Sequence, residues 1–242
     1  MTTQTQTNQQ GFTLVELAIV LVIVGLLIGG ILKGQELIGN AQVSSQIAQM
    51  KGTQSAFNAF RDQYNALAGD FRLASTRIAN CNADPTCVNG DGNNRLGLVV
   101  GAVPTAANEG YAFFNQMRVA NLLSGFDGQN LASFGNALPT ASTGGGYFIG
   151  DTRAGAAMTG FTVGEFRPGV YLVSTGQVVN VAGQTGNLTP AQAGTIDRRV
   201  DDGLPHQGAV ISETTANCRE GTTGYNEDLQ TQLCSIAYRL GQ

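Results

Sequence analysis

The chain has 242 residues, a formal net charge of -4 at pH 7, 12% charged side chains and 33 glycines. A mildly acidic, sparsely charged chain lacks the basic stripe that a general nucleic-acid binder needs, so nucleic acid is not an expected partner. The length accommodates one membrane helix and one sizeable head domain.

The first ten residues carry no charged side chain, and from Phe12 to Leu32 Glu16 is the only ionisable one. At about 1.5 Å per residue, such a run spans roughly 30 Å, the thickness of a bilayer's hydrocarbon core. A carboxylate within an apolar span is costly and marks a function, unless it lies close enough to the membrane surface to reach water. A cleaved secretory signal would instead show a basic start, a shorter apolar core and a small-residue cleavage site. After the span comes Lys33-Gly34-Gln35-Glu36-Leu37-Ile38, without such a site, so the helix is expected to be kept.

Beyond the span the apolar residues narrow to a stripe. Val43, Ile47, Met50, Phe57, Phe60, Tyr64 and Leu67 recur at helical spacing, with Gln46, Gln49, Gln54 and Asn58 filling the polar gaps. One helix over residues 12–68 follows, about 85 Å long, with a bare apolar half and a half packed on a head. Gly25, Gly29, Gly30, Gly34 and Gly39 fall inside it. They weaken the helix while allowing close approach of a neighbouring helix in lipid.

The remainder, 69–242, reads as α+β: an antiparallel sheet with short helices. Strands are predicted at Gly146–Ile149, Gly169–Val173 and Ala209–Ser212, and a helix at Asn108–Leu123 with Tyr111, Phe114, Met117 and Leu122 inward. A second helix begins at Thr189-Pro190-Ala191-Gln192, where Thr189 and Gln192 form a capping box around Pro190. No internal repeat is visible.

Gly11-Phe12-Thr13-Leu14-Val15-Glu16-Leu17 resembles the type III signal sequence of type IV pilins and of type II secretion pseudopilins. The resemblance implies a leader at 1–11, prepilin peptidase cleavage between Gly11 and Phe12, N-methylation of Phe12, and an assembly role for Glu16. The Phe12 ammonium of one subunit would neutralise Glu16 of its neighbour, since buried charges are tolerated chiefly in pairs. Two departures from the family pattern are the uncharged leader and Lys33, which stands where a proline is frequent. Asn108–Phe114 and Ile196–Pro205 are similar to segments of large prepilin-like proteins in which an Asp-Asp-Gly turn precedes the last strands. What the resemblance implies is a pilin-like fold, a long N-terminal helix on an antiparallel sheet.

The four cysteines, Cys81, Cys87, Cys218 and Cys234, are an even number in a region expected outside the cytoplasm, where disulfides persist, and three pairings are possible. Pairing Cys81 with Cys87 staples a small loop. Pairing Cys218 with Cys234 closes a C-terminal segment of the kind that pilins enclose by a disulfide. The spacings C-x5-C and C-x15-C lack the short step of most zinc sites. Asn89-Gly90-Asp91-Gly92-Asn93 and the group Asp197, Asp201 and Asp202 offer oxygens of the kind calcium takes, but without the glycine and closing glutamate of an EF-hand. Such residues also simply build turns. No metal and no cofactor is assigned.

His206 is the only histidine, within a turn, and no nucleophile elbow, phosphate loop or H-E-x-x-H motif is present. Catalysis is therefore not expected. The expected function is that of a structural subunit in a type IV pilus-like filament serving adhesion, motility or uptake. Its partners would be copies of itself, related pilins, the prepilin peptidase, the assembly machinery and, before assembly, the inner membrane, with the head in the periplasm. A type II secretion pseudopilin in a periplasmic pseudopilus is the alternative within the family. A membrane-tethered extracytoplasmic binding module is the alternative from another class.

Overall fold

The structure, a computed structural model, describes residues 13–106, 108–155 and 157–241. The chain divides into two compact units, one up to Ala41 and one from Gln42 onward. Helix α1, Leu14–Tyr64, contributes to both. In the first unit the large apolar side chains of the helix are exposed, from Val24 at 43% to Leu14 at 87%. Apart from the helix's own nearby backbone and the adjoining residues, no heavy atom among the described residues lies within 4 Å of where a Cβ would stand on Gly25, Gly29, Gly30, Gly34 or Gly39.

In the second unit, α1 buries Val43, Met50, Phe57 and Phe60, with Ile47 and Tyr64 half-buried against the same core. The buried face also takes in Thr53, Ala56 and Gln46. Gln46 is thus a core residue and not one of the polar gap-fillers that the spacing predicts. α1 ends at Tyr64, short of residue 68, because Asn65 turns left-handed at φ 50° and a left-handed residue closes a helix. Leu67 and Ala68 are buried all the same, on the chain's return into the head.

Helix α2 is the single turn Ala74–Arg77, and α3, Glu109–Val119, starts at the Asn108 cap. Asn121, left-handed at φ 57°, follows its end, so the helix stops before the predicted Leu123. From Gly110 to Met117 every residue of α3 is buried. The four inward positions expected of it were too few: Phe113, Asn115 and Gln116 are inside as well, and Leu122 is only half-buried. Gln116 repays its burial by accepting from the Gly69 N–H at 2.7 Å and donating to the Val88 carbonyl at 2.7 Å. Helix α4, Pro190–Val200, opens on the Thr189 and Gln192 capping box.

The main sheet has strands β1 (Gly146–Asp151), β2 (Val170–Thr175), β3 (Val210–Ser212) and β6 (Ile236–Gly241), in the order β1-β2-β6-β3. All pairings are antiparallel, with Ile149 opposite Leu172, Leu172 opposite Tyr238 and Ile211 opposite Ala237. β6, which sits between β2 and β3, is absent from the predicted strands. Its Ala237 and Arg239 interrupt the β-branched and aromatic run that marks a strand. A small hairpin of β4 (Arg219–Glu220) and β5 (Gly224–Tyr225) lies apart. The arrangement is α+β, a long helix whose second half packs with a four-stranded antiparallel sheet.

A ring of side-chain hydrogen bonds ties α1 to this sheet. Gln46 donates to the Ser174 hydroxyl at 2.8 Å, Ser174 to the Asn187 carbonyl at 2.9 Å, and Asn187 to the Thr143 hydroxyl at 3.0 Å. Thr143 closes the ring by donating to the Gln46 carbonyl. All four residues are buried, and each is both donor and acceptor.

Candidate functional site

The first site is the start of α1. Thr13 caps the helix: its hydroxyl accepts from the Glu16 N–H at 3.3 Å, while the Glu16 carboxylate accepts from the Thr13 N–H at 2.9 Å and the Thr13 hydroxyl at 2.8 Å. This is a reciprocal capping box. It holds the carboxylate folded back on the first turn, where the helix dipole also favours negative charge. Glu16 stays exposed, among the exposed apolar side chains of Leu14, Val15 and Leu17. Thr13 has no role in the sequence reading, although its T-x-x-E spacing from Glu16 is a visible capping signature. Gly11 and Phe12 lie outside the described residues.

By length and composition α1 is suited to cross a membrane, and none of its most apolar stretch is buried in the protein. The first charges after Glu16 are Lys33 and Glu36, paired at 2.7 Å on the exposed surface.

Disulfides join Cys81 to Cys87 and Cys218 to Cys234, with Cα atoms 5.2 and 4.8 Å apart. Asp84, in the smaller loop, accepts from Thr86 and is ion-paired with Arg118. These contacts hold its carboxyl below the usual range against the opposing effect of burial. The larger loop contains the β4–β5 hairpin. It is fixed by the pairs Arg219 with Glu165 at 2.9 Å and Arg198 with Glu227 at 2.7 Å.

Two carboxylate groups converge in the head. Asp70, Asp91 and Glu109 bring oxygens within 4.8 Å of one another. The stretch Asn89–Asn93 contributes only Asp91 to this group; Asp70 and Glu109 are not among the oxygens the sequence singles out for a cation. Asp70 accepts from the N–H groups of Gly92 at 2.6 Å, Asn93 at 3.1 Å and Asn94 at 2.6 Å. Glu109 accepts from those of Asp91 at 3.2 Å and Gly97 at 2.8 Å. Burial raises both carboxyls above their usual range. Both oxygens of Asp70 and of Glu109 already serve the loop's own backbone, so the geometry is that of a self-supported turn.

Asp197, Asp201 and Asp202 form the second group. Asp201 accepts from the N–H groups of Ala209 and Val210, and Asp202 from the Leu204 N–H at 2.9 Å and the Gln207 amide at 3.0 Å. Asp197, fully buried, accepts from the Tyr225 hydroxyl at 2.9 Å and the Gly203 N–H at 3.3 Å. Most of these oxygens are taken up by the turn between α4 and β3 and by Tyr225. Burial, with smaller contributions from Asp202 and Asp201, pushes Asp197 up to about 7. Glu213, also fully buried and not singled out in the sequence, is pushed up by burial to about 7. The Nδ1 of His206 is buried without a hydrogen-bond partner, and no serine, cysteine or carboxylate is bonded to that ring among the described residues. Nothing in this arrangement assembles a nucleophile with a base.

Among known families, the prokaryotic N-terminal methylation motif matches residues 6–32. Neither the curated proteins nor the solved structures contain a match to this chain. The motif spans both sides of the Gly11-Phe12 bond, the Thr13 and Glu16 capping box and the exposed apolar turns that follow. The matched motif opens the long apolar helix, and this N-terminal segment is similar to the type III signal sequence of type IV pilin- and pseudopilin-like prepilins.

Proposed function

We propose that the chain is a structural subunit of a type IV pilus-like filament, used for adhesion, motility or uptake. It is made as an inner-membrane precursor with leader 1–11, a long N-terminal helix and a periplasmic head, 69–242. Prepilin peptidase cuts between Gly11 and Phe12, Phe12 is N-methylated, and the helix leaves the lipid to pack beside the helices of identical and related subunits. The protein is the substrate of this processing and performs no reaction of its own.

The observation that carries this reading is a lone acid, Glu16, at the head of an unburied apolar helix that begins within the methylation motif. Exposed apolar surface of that extent must be covered by lipid or by other helices. A carboxylate is a poor neighbour for lipid but a fitting partner for the ammonium of a newly cut N-terminus. The Thr13 hydroxyl and N–H keep that carboxylate at the helix end.

The test is mass spectrometry of the protein from membranes and sheared fibres, with and without Glu16→Ala. A methylated Phe12 terminus is expected in wild type and in the variant, with the variant retained in the membrane and depleted from fibres. An uncut Gly11-Phe12 junction in the natural protein overturns the proposal in favour of a tethered module, and normal incorporation of Glu16→Ala removes the role given to Glu16. Fibres confined to the periplasm would place the subunit in a pseudopilus.

A further inference from the structure

Two buried acids without a cationic partner grip the loop closed by Cys218 and Cys234, one at its base and one at its hairpin. Glu213, just after β3, is fully buried and accepts from the Thr215 hydroxyl at 2.8 Å. The carbonyl of Thr215 in turn accepts the N–H groups of Cys218 at 3.0 Å and Arg219 at 3.1 Å, and so begins the loop. At the loop's other end, the Ser235 carbonyl accepts the Glu213 N–H at 3.0 Å. The second carboxylate oxygen of Glu213 is buried without a well-formed hydrogen bond, as is the adjacent Ser235 hydroxyl. Among the described residues, the groups that act on Glu213 are the hydrogen-bonding Thr215 and Ser235, and no charged side chain is among them.

Asp197 holds the far part of the loop through its bond from Tyr225 on β5. Facing it are the carboxylates of Asp201 and Asp202 from the turn after α4. The nearby cations are engaged elsewhere, Arg198 with Glu227 and Arg219 with Glu165. A carboxylate removed from water with no cation beside it is strongly disfavoured in its ionised form. Neither acid can therefore ionise cheaply while the loop is closed.

We propose that the Cys218–Cys234 loop is a pH-responsive flap, held on the head while Asp197 and Glu213 keep their protons and released as they lose them. The disulfide spans a sequence separation of 16 residues and limits the release to a tethered segment. Opening would free the Tyr225 side and present Glu220 and Asp228, already exposed, together with Glu227 once its pairing with Arg198 is broken. The sign follows from proton linkage. Covered, each acid keeps its proton to about pH 7; in water it keeps it only to about pH 4. Opening then releases a proton for each acid it exposes. The opening equilibrium constant rises by up to about tenfold per pH unit per acid between those limits and levels off above them.

Hydrogen exchange on the full chain in detergent, followed by mass spectrometry of peptides covering 215–234, tests this. Rates are corrected for intrinsic base catalysis. Protection there is expected to fall by at least about tenfold from pH 5 to pH 7, while peptides of β1 and β2 hold theirs. The variant D197N/E213Q, neutral at both positions, should show no such fall. Constant protection in the wild type, or an undiminished fall in a folded variant, overturns the proposal. Should the double variant fail to fold, infrared spectroscopy of the unaltered chain decides: a protonated-carboxyl band present at pH 6 and gone by pH 8 is expected, and its absence at pH 6 overturns the proposal equally.

Discussion

The ring of Gln46, Ser174, Asn187 and Thr143 is a set of four polar side chains that only make sense together. Removing one member leaves buried donors and acceptors without partners, which costs more than the bond itself was worth. Gln46→Ala is therefore expected to lower stability by about 2 kcal/mol, read as a shift in denaturation midpoint, whereas Gln49→Ala, at an exposed position, should cost less. A midpoint unchanged by Gln46→Ala would show that water replaces the amide. The contrast with Glu16 shows what the sequence makes legible. Thr13 and Glu16 meet three residues apart, so their bonds follow from a local spacing rule. Gln46 meets Ser174 and Thr143 across separations of 128 and 97 residues, and nothing in the helical period of α1 distinguishes its inward glutamine from the outward ones. Glu213, and the burial of Asp197, were hidden for the same reason, since burial of an acid is a property of the packed head.

Among the elements, those with local signatures appear as the sequence predicts and those defined by their neighbours do not. α4 is announced by Thr189, Pro190 and Gln192, and both bonds of the capping box form, Thr189 to the Gln192 N–H at 3.2 Å and Gln192 to the Thr189 N–H at 3.0 Å. Thr189→Ala is expected to cost about 1 kcal/mol in chemical denaturation, and Thr189→Ser to restore most of it; equal losses in both would mean that the methyl group, not the hydroxyl, does the holding. β6 carries no such local mark, yet it is the strand on which β2 and β3 both pair, so a sequence of modest strand propensity occupies the centre of the sheet. The ends of α1 and α3 were likewise set by single asparagines, Asn65 and Asn121, whose tolerance of the left-handed region is visible only once the backbone is known.

At the scale of the whole molecule, the apolar residues serve two separate purposes, and the change from one to the other falls within a single helix. Up to Ile38 the large apolar side chains of α1 are exposed; from Val43 onward those on its inner face belong to the core. The head's aromatic core, including Phe57, Phe60, Phe113 and Phe148, is built from residues of the second unit. A chain beginning at Gln42 keeps Val43, the Gln46 ring and both disulfides. It is expected to remain folded and monomeric without detergent, with the thermal midpoint of the full-length protein's head. A chain beginning at Lys51 loses Val43, Gln46 and Met50, all of them buried, and should unfold at a clearly lower temperature, since emptying several core positions costs a few kcal/mol each. Light scattering and calorimetry on the two fragments check both statements: aggregation of the longer one in plain buffer would mean that α1 before Gln42 covers part of the head, and equal midpoints would mean that the first turns of its inner face contribute nothing to the core.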